Sequence, residues 1–330
     1  MQHRPLGQQG LRVSALGLGV MGMTMAYGPS NEDEGIATIR RAHELGIDFF
    51  DTAELYGQGT GSNEVLLGKA VRGFRDDVVL ATKFGFDMTA EPFGSGVDSR
   101  PENIRKVAEN SLRYLGTDRI DLFYQHISDP DVPVEEVAGT VGELIAEGKV
   151  KYFGLSNVGP QYIRRAHAVT PVAALQSEYS VFERELEEKI LPVLRELGIG
   201  LVPYAPLGRG FLSGAVKPAS EYPEGDMRRW DERWQGENYT YNLRATEQLK
   251  EFATAKGLTV AQLALAWLLA QGEDIAPIPG TRSPERVAEN AHAADVRLTE
   301  ADLTRIAEIL PQGSAGSRLP AALMPNFITD

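Results

Sequence analysis

Short apolar runs recur along the chain and alternate with longer amphipathic stretches. Eight runs read as buried strands: Ala15 to Leu18, Ile47 to Phe50, Val78 to Thr82, Ile120 to Gln125, Val150 to Leu155, Val172 to Leu175, Ile199 to Pro203 and Ile275 to Ile278. Between them the apolar positions follow helical spacing. From Pro101 to Tyr114, for example, Ile104, Val107, Ala108, Ser111 and Leu112 share one face. Pro101 lacks only an N–H that the first turn could not use, and Ser99 just upstream can cap. Strand–helix units of this kind, with no linker and no second composition regime, predict an α/β architecture. The expectation is one domain over residues 1–330, a closed (β/α)8 TIM barrel with long loops at its C-terminal mouth. Ahead of it, His3 to Gly19 has Gly and Gln at its centre and apolar ends, which predicts an N-terminal β-hairpin serving as a lid. The polar segment Gly208 to Asn242, rich in Trp, Tyr, Arg and Gly, reads as a long loop after the seventh strand, and the chain beyond Leu310 also reads as loop.

Composition narrows the functional classes. The 330 residues carry 33 basic and 46 acidic side chains, a net charge of −13, which argues against a nucleic-acid partner and against an anionic lipid surface. There is no cysteine, so disulfides, thiolate metal sites and a cysteine nucleophile are excluded, and five histidines restrict metal chemistry further. The longest strongly apolar run, Leu263 to Ala270, is far short of the roughly 20 residues that span a bilayer. Met1 to Gly10 has no apolar signal core, and the expectation is a cytoplasmic protein.

Gly17, Gly19 and Gly22 satisfy the G-x-G-x-x-G spacing of a dinucleotide-binding turn. That turn needs a helix to open directly after it, so that the helix N-terminus faces the pyrophosphate. Met23 to Ser30 instead contains Gly28-Pro29 and no helical period, and reads as loop.

The chemistry concentrates where strands end, since in a barrel those positions face one mouth. Strand two runs into Asp51, with Tyr56 in the segment DTAELYG; strand three runs into Lys83 in ATKFG; strand four runs into His126 in YQHISD. Singly, each has a bland alternative: Asp51 a helix cap, Tyr56 a rim aromatic, Lys83 a solvated charge, His126 a backbone-bonded core residue. Together they fit one mechanism. A phenol, with a pKa of about 10, is too weak an acid to protonate an alkoxide well at neutral pH unless a cation stabilises the phenolate. Lys83 can be that cation, Asp51 can hold Lys83 charged and oriented, and His126 can donate to a substrate carbonyl. Such a site reduces carbonyls with hydride from a separate donor and needs no metal.

These segments resemble the aldo-keto reductase superfamily. So do EGKVKYFGLSN ending at Asn157, LQSEYS from Leu175, VPYAPLGRGFLSG from Val202 and PIPGTRSPERVAEN from Pro277, and the match spans nearly the whole chain. The resemblance implies NADPH/NADP+ bound extended across the barrel mouth, a small carbonyl substrate, and a catalytic tetrad falling on Asp51, Tyr56, Lys83 and His126. It implies that Ser156, Asn157 and Gln176 hold the nicotinamide carboxamide and that Tyr204 stacks on the ring. Pro206, Leu207 and Arg209 belong to the glycine-rich loop expected at the pyrophosphate. Gly280, Thr281, Arg282 and Arg286 fall where the family places the adenosine 2′-phosphate, with Ser283 as cap and Pro284 as first turn of a helix; Glu289 and Asn290 match its adenine pair. One departure is that Ile127 and Ser128 follow His126, where near subgroups often carry Arg.

Two other classes compete. Relatives with this barrel serve as cytoplasmic subunits of potassium channels, and a Lys83 Schiff base would make the chain an aldolase; the latter leaves Tyr56 and Arg282 without a role. Substrate identity rests on the loops Met21 to Ser30, Phe86 to Val97 and Phe211 to Asn242, where Trp230 and Trp234 either line the pocket or cover the rim.

Overall fold

The computed structural model describes residues 1–318. An antiparallel hairpin, β1 (His3–Leu6) and β2 (Leu11–Ser14), precedes a seven-stranded parallel sheet of β3 (Leu18–Gly19), β4 (Phe49–Asp51), β5 (Val79–Phe84), β6 (Ile120–Gln125), β7 (Val150–Ser156), β8 (Val172–Glu178) and β9 (Gly200–Tyr204), paired in chain order. Helices α1 (Glu32–Glu44), α2 (Ser62–Val71), α3 (Pro101–Leu115), α4 (Val134–Ala146), α5 (Pro160–Val169) and α6 (Leu186–Leu197) alternate with the strands. After β9 come α7 (Gly236–Ala255), α8 (Val260–Ala270), α9 (Pro284–Ala291) and α10 (Glu300–Ile309). Helix α9 packs back on α1, which closes the outer ring.

The eighth stave is where the sequence expectation needs correction. Ile275 to Ile278 closes the sheet, bridging Leu201 of β9 on one side, while Gly280 bridges Gly19 of β3 on the other. It is not a regular strand. Ala276 N–H donates to the Leu201 carbonyl at 3.0 Å and Ile278 N–H to Pro203 at 3.0 Å, but Pro277 and Pro279 have no N–H to give toward β3. The fold is a (β/α)8 TIM barrel whose last rung is held by alternate bonds.

The hairpin plugs the end opposite the mouth rather than covering the mouth. Arg4 donates to the carbonyls of Gly272, Ile275 and Leu269 at 2.6, 2.9 and 3.1 Å, all on the approach to the eighth stave. Leu6 lies where a Cβ on Gly200, at the start of β9, would come within 2.6 Å of it. Leu6, Leu11 and Val13 join Phe49, Leu122, Tyr124 and Val202 in the barrel interior, each such side chain contributing about 2 kcal/mol.

Other differences are local. Ser99 caps nothing; its hydroxyl accepts from Gln125 at 3.0 Å, its N–H donates to Asp129 at 2.8 Å, and Arg100 takes the cap position of α3. The segment after β9 is a chain of 3-10 turns up to Trp234, but Gly236 to Asn242 is already helical. Residues 311–318 carry no helix or strand, as expected; 319–330 lie outside the described residues. No single described helix is long and apolar enough to cross a membrane.

Candidate active site

The barrel mouth opens into a cavity of about 630 Å³ that runs from Asp51, Tyr56 and His126 past Ser156, Asn157, Gln176 and Tyr204 to Arg282, Arg286, Glu289 and Asn290. Its floor is built by strand ends. Asp51 closes β4 and Lys83 lies inside β5, with Tyr56 in the turn after β4 and His126 directly after β6. Alternation along the strands turns Asp51 and Lys83 toward the barrel axis, where Lys83 is fully buried. Its ammonium donates to Asp51 Oδ1 at 2.5 Å, to the Thr52 carbonyl at 2.7 Å and to the Tyr56 hydroxyl at 3.4 Å. Three N–H bonds therefore meet three acceptors. The other carboxylate oxygen of Asp51 accepts from Gln176 Nε2 at 2.7 Å, so β8 fixes Asp51 from across the barrel. The His126 ring stands edge-on to Tyr56, with centroids 5.8 Å apart, and edge-on to Phe86 at 5.1 Å.

The phenol of Tyr56 is not acidified at rest: burial, followed by the Asp51 charge, pushes it well above its ordinary value. Asp51 lies 2.5 Å from the Lys83 ammonium, and its charge opposes that of Lys83 at the phenol. Burial drives Lys83 down, with Asp51 acting against it, and drives Asp51 up, with Lys83 acting against it. Burial, aided by Lys83, holds His126 well below its ordinary value, so the imidazole is neutral at pH 7 and donates through one N–H. A protonated phenol and a neutral imidazole are both competent donors to a carbonyl oxygen.

Asn157, in the left-handed region at φ 53°, is bound on both sides: its amide donates to Ser156 Oγ at 2.9 Å and its carbonyl accepts from Tyr204 at 3.1 Å. At the next loop, Gly208 (φ +55) and Gly210 (φ +110) take conformations that favour glycine. Arg209 between them is buried and donates to Asp231 at 2.5 Å, to Glu178 at 3.1 Å and to the Arg318 carbonyl. Arg233, fully buried, pairs with Glu178 and with Glu183 at 2.8 Å, completing a network under the mouth. Ser283 caps α9, accepting from Arg286 N–H at 3.3 Å, with Pro284 next. Arg282, half-buried, donates to the carbonyls of Pro29 and Tyr27, the latter at 3.3 Å.

The fingerprint glycines open no α-helix, as the sequence implies; a short 3-10 turn, Met21–Met23, follows. Gly17 instead answers to packing, since a Cβ there would lie 2.7 Å from Phe49. Trp230 is exposed and Trp234 packs on Phe211 at 4.2 Å between centroids, so neither lines the cavity. The loops from Met21, from Phe86 and from Phe211 contribute Met21, Met25, Phe86 and Met227 to an apolar lining, Leu55 joins them from the turn after β4, and Arg228, 3.8 Å over the Tyr222 ring, lines it too.

A family model described as the aldo/keto reductase family matches residues 15–311. The chain belongs to that family. A probable aldo-keto reductase 1 of Glycine max is 45% identical over 321 residues, covering 96% of this chain and 92% of that protein. An aldo-keto reductase of Schizosaccharomyces pombe whose name specifies NADP(+) is 42% identical over 93% of this chain and 92% of its own length. Among solved structures, the glycerol dehydrogenase of Gluconobacter oxydans superposes with a TM-score of 0.85 at 28% identity, covering 97% of this chain and 98% of that one. The chain is thus an oxidoreductase of carbonyl compounds, in a family that uses NADP(H).

Proposed function

We propose that this protein reduces aldehydes or ketones to alcohols with NADPH, Tyr56 serving as the general acid. The observation that carries the reading is the contact set of Lys83, which joins Asp51 and Tyr56 at the cavity floor beside His126. The surrounding residues fit a dinucleotide: the cavity extends from that floor to the capped start of α9, its middle is walled by a glycine-bearing loop, and its far end carries two guanidinium groups. Ser156, Asn157 and Gln176 would hold the carboxamide, Tyr204 the ring face, and the backbone of Pro206, Leu207 and Arg209 the pyrophosphate. Gly280, Thr281, Arg282 and Arg286 would hold the 2′-phosphate, with Glu289 and Asn290 at the adenine. For Arg209 the backbone is the relevant group, because its guanidinium is committed to Asp231 and Glu178.

NADPH, when bound, supplies the hydride. The protein does the rest: His126 and Tyr56 aim the carbonyl oxygen, Tyr56 gives it a proton, and Lys83 stabilises the phenolate left behind. Tyr56 then recovers its proton from solvent. The burial of Lys83 and its three filled N–H bonds speak against the Schiff-base alternative. Loss of reduced-nicotinamide absorbance over a panel of aldehydes, ketones, quinones and dicarbonyls tests the proposal. NADPH-dependent turnover of at least one carbonyl class is expected; no turnover of any, with cofactor binding intact, refutes it.

A further inference from the structure

The floor of the site is braced from the outer side of the same strands. Side chains alternate along a strand, so Thr52 and Thr82, next to Asp51 and Lys83, turn away from the barrel axis. Both meet the start of α2: Thr52 Oγ1 donates to Asn63 Oδ1 at 2.6 Å and Thr82 Oγ1 donates to Glu64 Oε1 at 2.7 Å. All four residues are fully buried. Asn63 also gives away its amide hydrogens, to the Val20 carbonyl at 3.0 Å and to Thr24 Oγ1 at 2.7 Å. One side chain thereby ties β4 to the loop that carries Met21 and Met25 into the cavity wall.

A buried amide is costly unless its groups are paired, and a helix that needed only to pack on the sheet would present an apolar residue here. Asn63 has three partners, and one of them matters for the chemistry. Thr52 supplies the backbone carbonyl that accepts from Lys83 at 2.7 Å.

We propose that Asn63 is a positioning residue of the reduction site: by holding Thr52 it fixes a carbonyl acceptor of Lys83, and by holding Val20 and Thr24 it sets the cavity wall relative to that acceptor. The proposal rests on the roles of Tyr56 and Lys83 given above. Glu64 braces Thr82 one strand over. Lys83 faces Asp51, Tyr56, Tyr124 and His126 inside the barrel and Glu64 across the strand. Asp51 is the charged group in direct contact with it, so slackening the floor weakens that contact. Burial then prevails, and Lys83 releases its proton at lower pH.

The test compares Asn63→Leu, Thr52→Val, their double variant and Tyr56→Phe, measuring kcat, the NADPH dissociation constant, the pH profile of kcat and Tm. Misplacement of catalytic groups by a fraction of an ångström predicts a fall in kcat of about tenfold or more in each single variant. NADPH affinity should stay within about threefold in Thr52→Val, which leaves Asn63 tied to the wall loop; the alkaline limb should move to lower pH in each variant, and the double variant should be no worse than the poorer single one. Thr52→Val removes only the hydroxyl at nearly constant size, so it decides the matter if Asn63→Leu does not fold. Wild-type kcat and pH profile with only a lower Tm would overturn the positioning role, as would losses that add independently. A fully active Tyr56→Phe would overturn the underlying reading instead, and the positioning role with it.

Discussion

Removing the guanidinium of Arg282 should separate two contributions that the structure places on one side chain. In Arg282→Ala, the hydrogen bonds to the carbonyls of Pro29 and Tyr27 disappear, which loosens a wall loop and weakens both cofactors alike. The proposed phosphate contact disappears as well, and only NADPH has the 2′-phosphate. A hydrogen bond to a charged group is worth about 1.5–3 kcal/mol, so NADPH should lose about 10- to 150-fold in affinity beyond whatever NADH loses. Arg286, at the first turn of α9, remains to hold part of the charge, which favours the lower end of that range. Titration of intrinsic fluorescence with each cofactor, at one fixed ionic strength, gives the two dissociation constants, and their ratio cancels the loop effect. An unchanged NADPH to NADH ratio would refute the phosphate role, however large the separate losses.

Two further variants test the frame of the site. Arg233→Met strips Glu183 and half of Glu178 of their buried partner; breaking such a pair costs about 3–5 kcal/mol, or about 4–7 °C in Tm for a chain of this size. Calorimetry checks it, and a loss under about 1 kcal/mol would mean the network is slack. Glu54 is buried, and burial with the Glu64 charge raises its carboxyl from 4.5 to about 7. The folded chain therefore keeps a proton that the unfolded chain releases, so stability is full below the ordinary carboxylate range and falls as pH rises toward about 7, by about 3 kcal/mol in all. Glu54→Gln, which cannot ionise, should raise Tm by several degrees at about pH 8 and little at about pH 5; an equal gain at both would sink the assignment.

Legibility in the sequence followed the range of the interactions. Asp51 and Lys83 could be placed because a barrel sends every strand end to one mouth, and the resemblance added Ser156 and Gln176; the structure puts all four inside the strands rather than just beyond. The eighth stave is legible as an apolar run, while its broken ladder follows from Pro277 and Pro279 along it. The start of α7 at Gly236 was masked by polar residues that read as loop. What could not be read was pairing across distance. Arg209 looks like a phosphate ligand in its glycine-rich context, and only the fold brings Asp231 and Glu178 to it. Asn63 and Glu64 look like ordinary first-turn residues, and nothing local says that both are buried against Thr52 and Thr82. The direction of the Tyr56 shift likewise comes from the fold, from burial first and the Asp51 charge second.

The most direct test of the account is turnover by Tyr56→Phe, which removes one hydroxyl and leaves the cavity walls in place. Loss of the general acid predicts a fall in kcat of about 100- to 10,000-fold with NADPH affinity nearly unchanged. A variant that reduces carbonyls at the wild-type rate would contradict it.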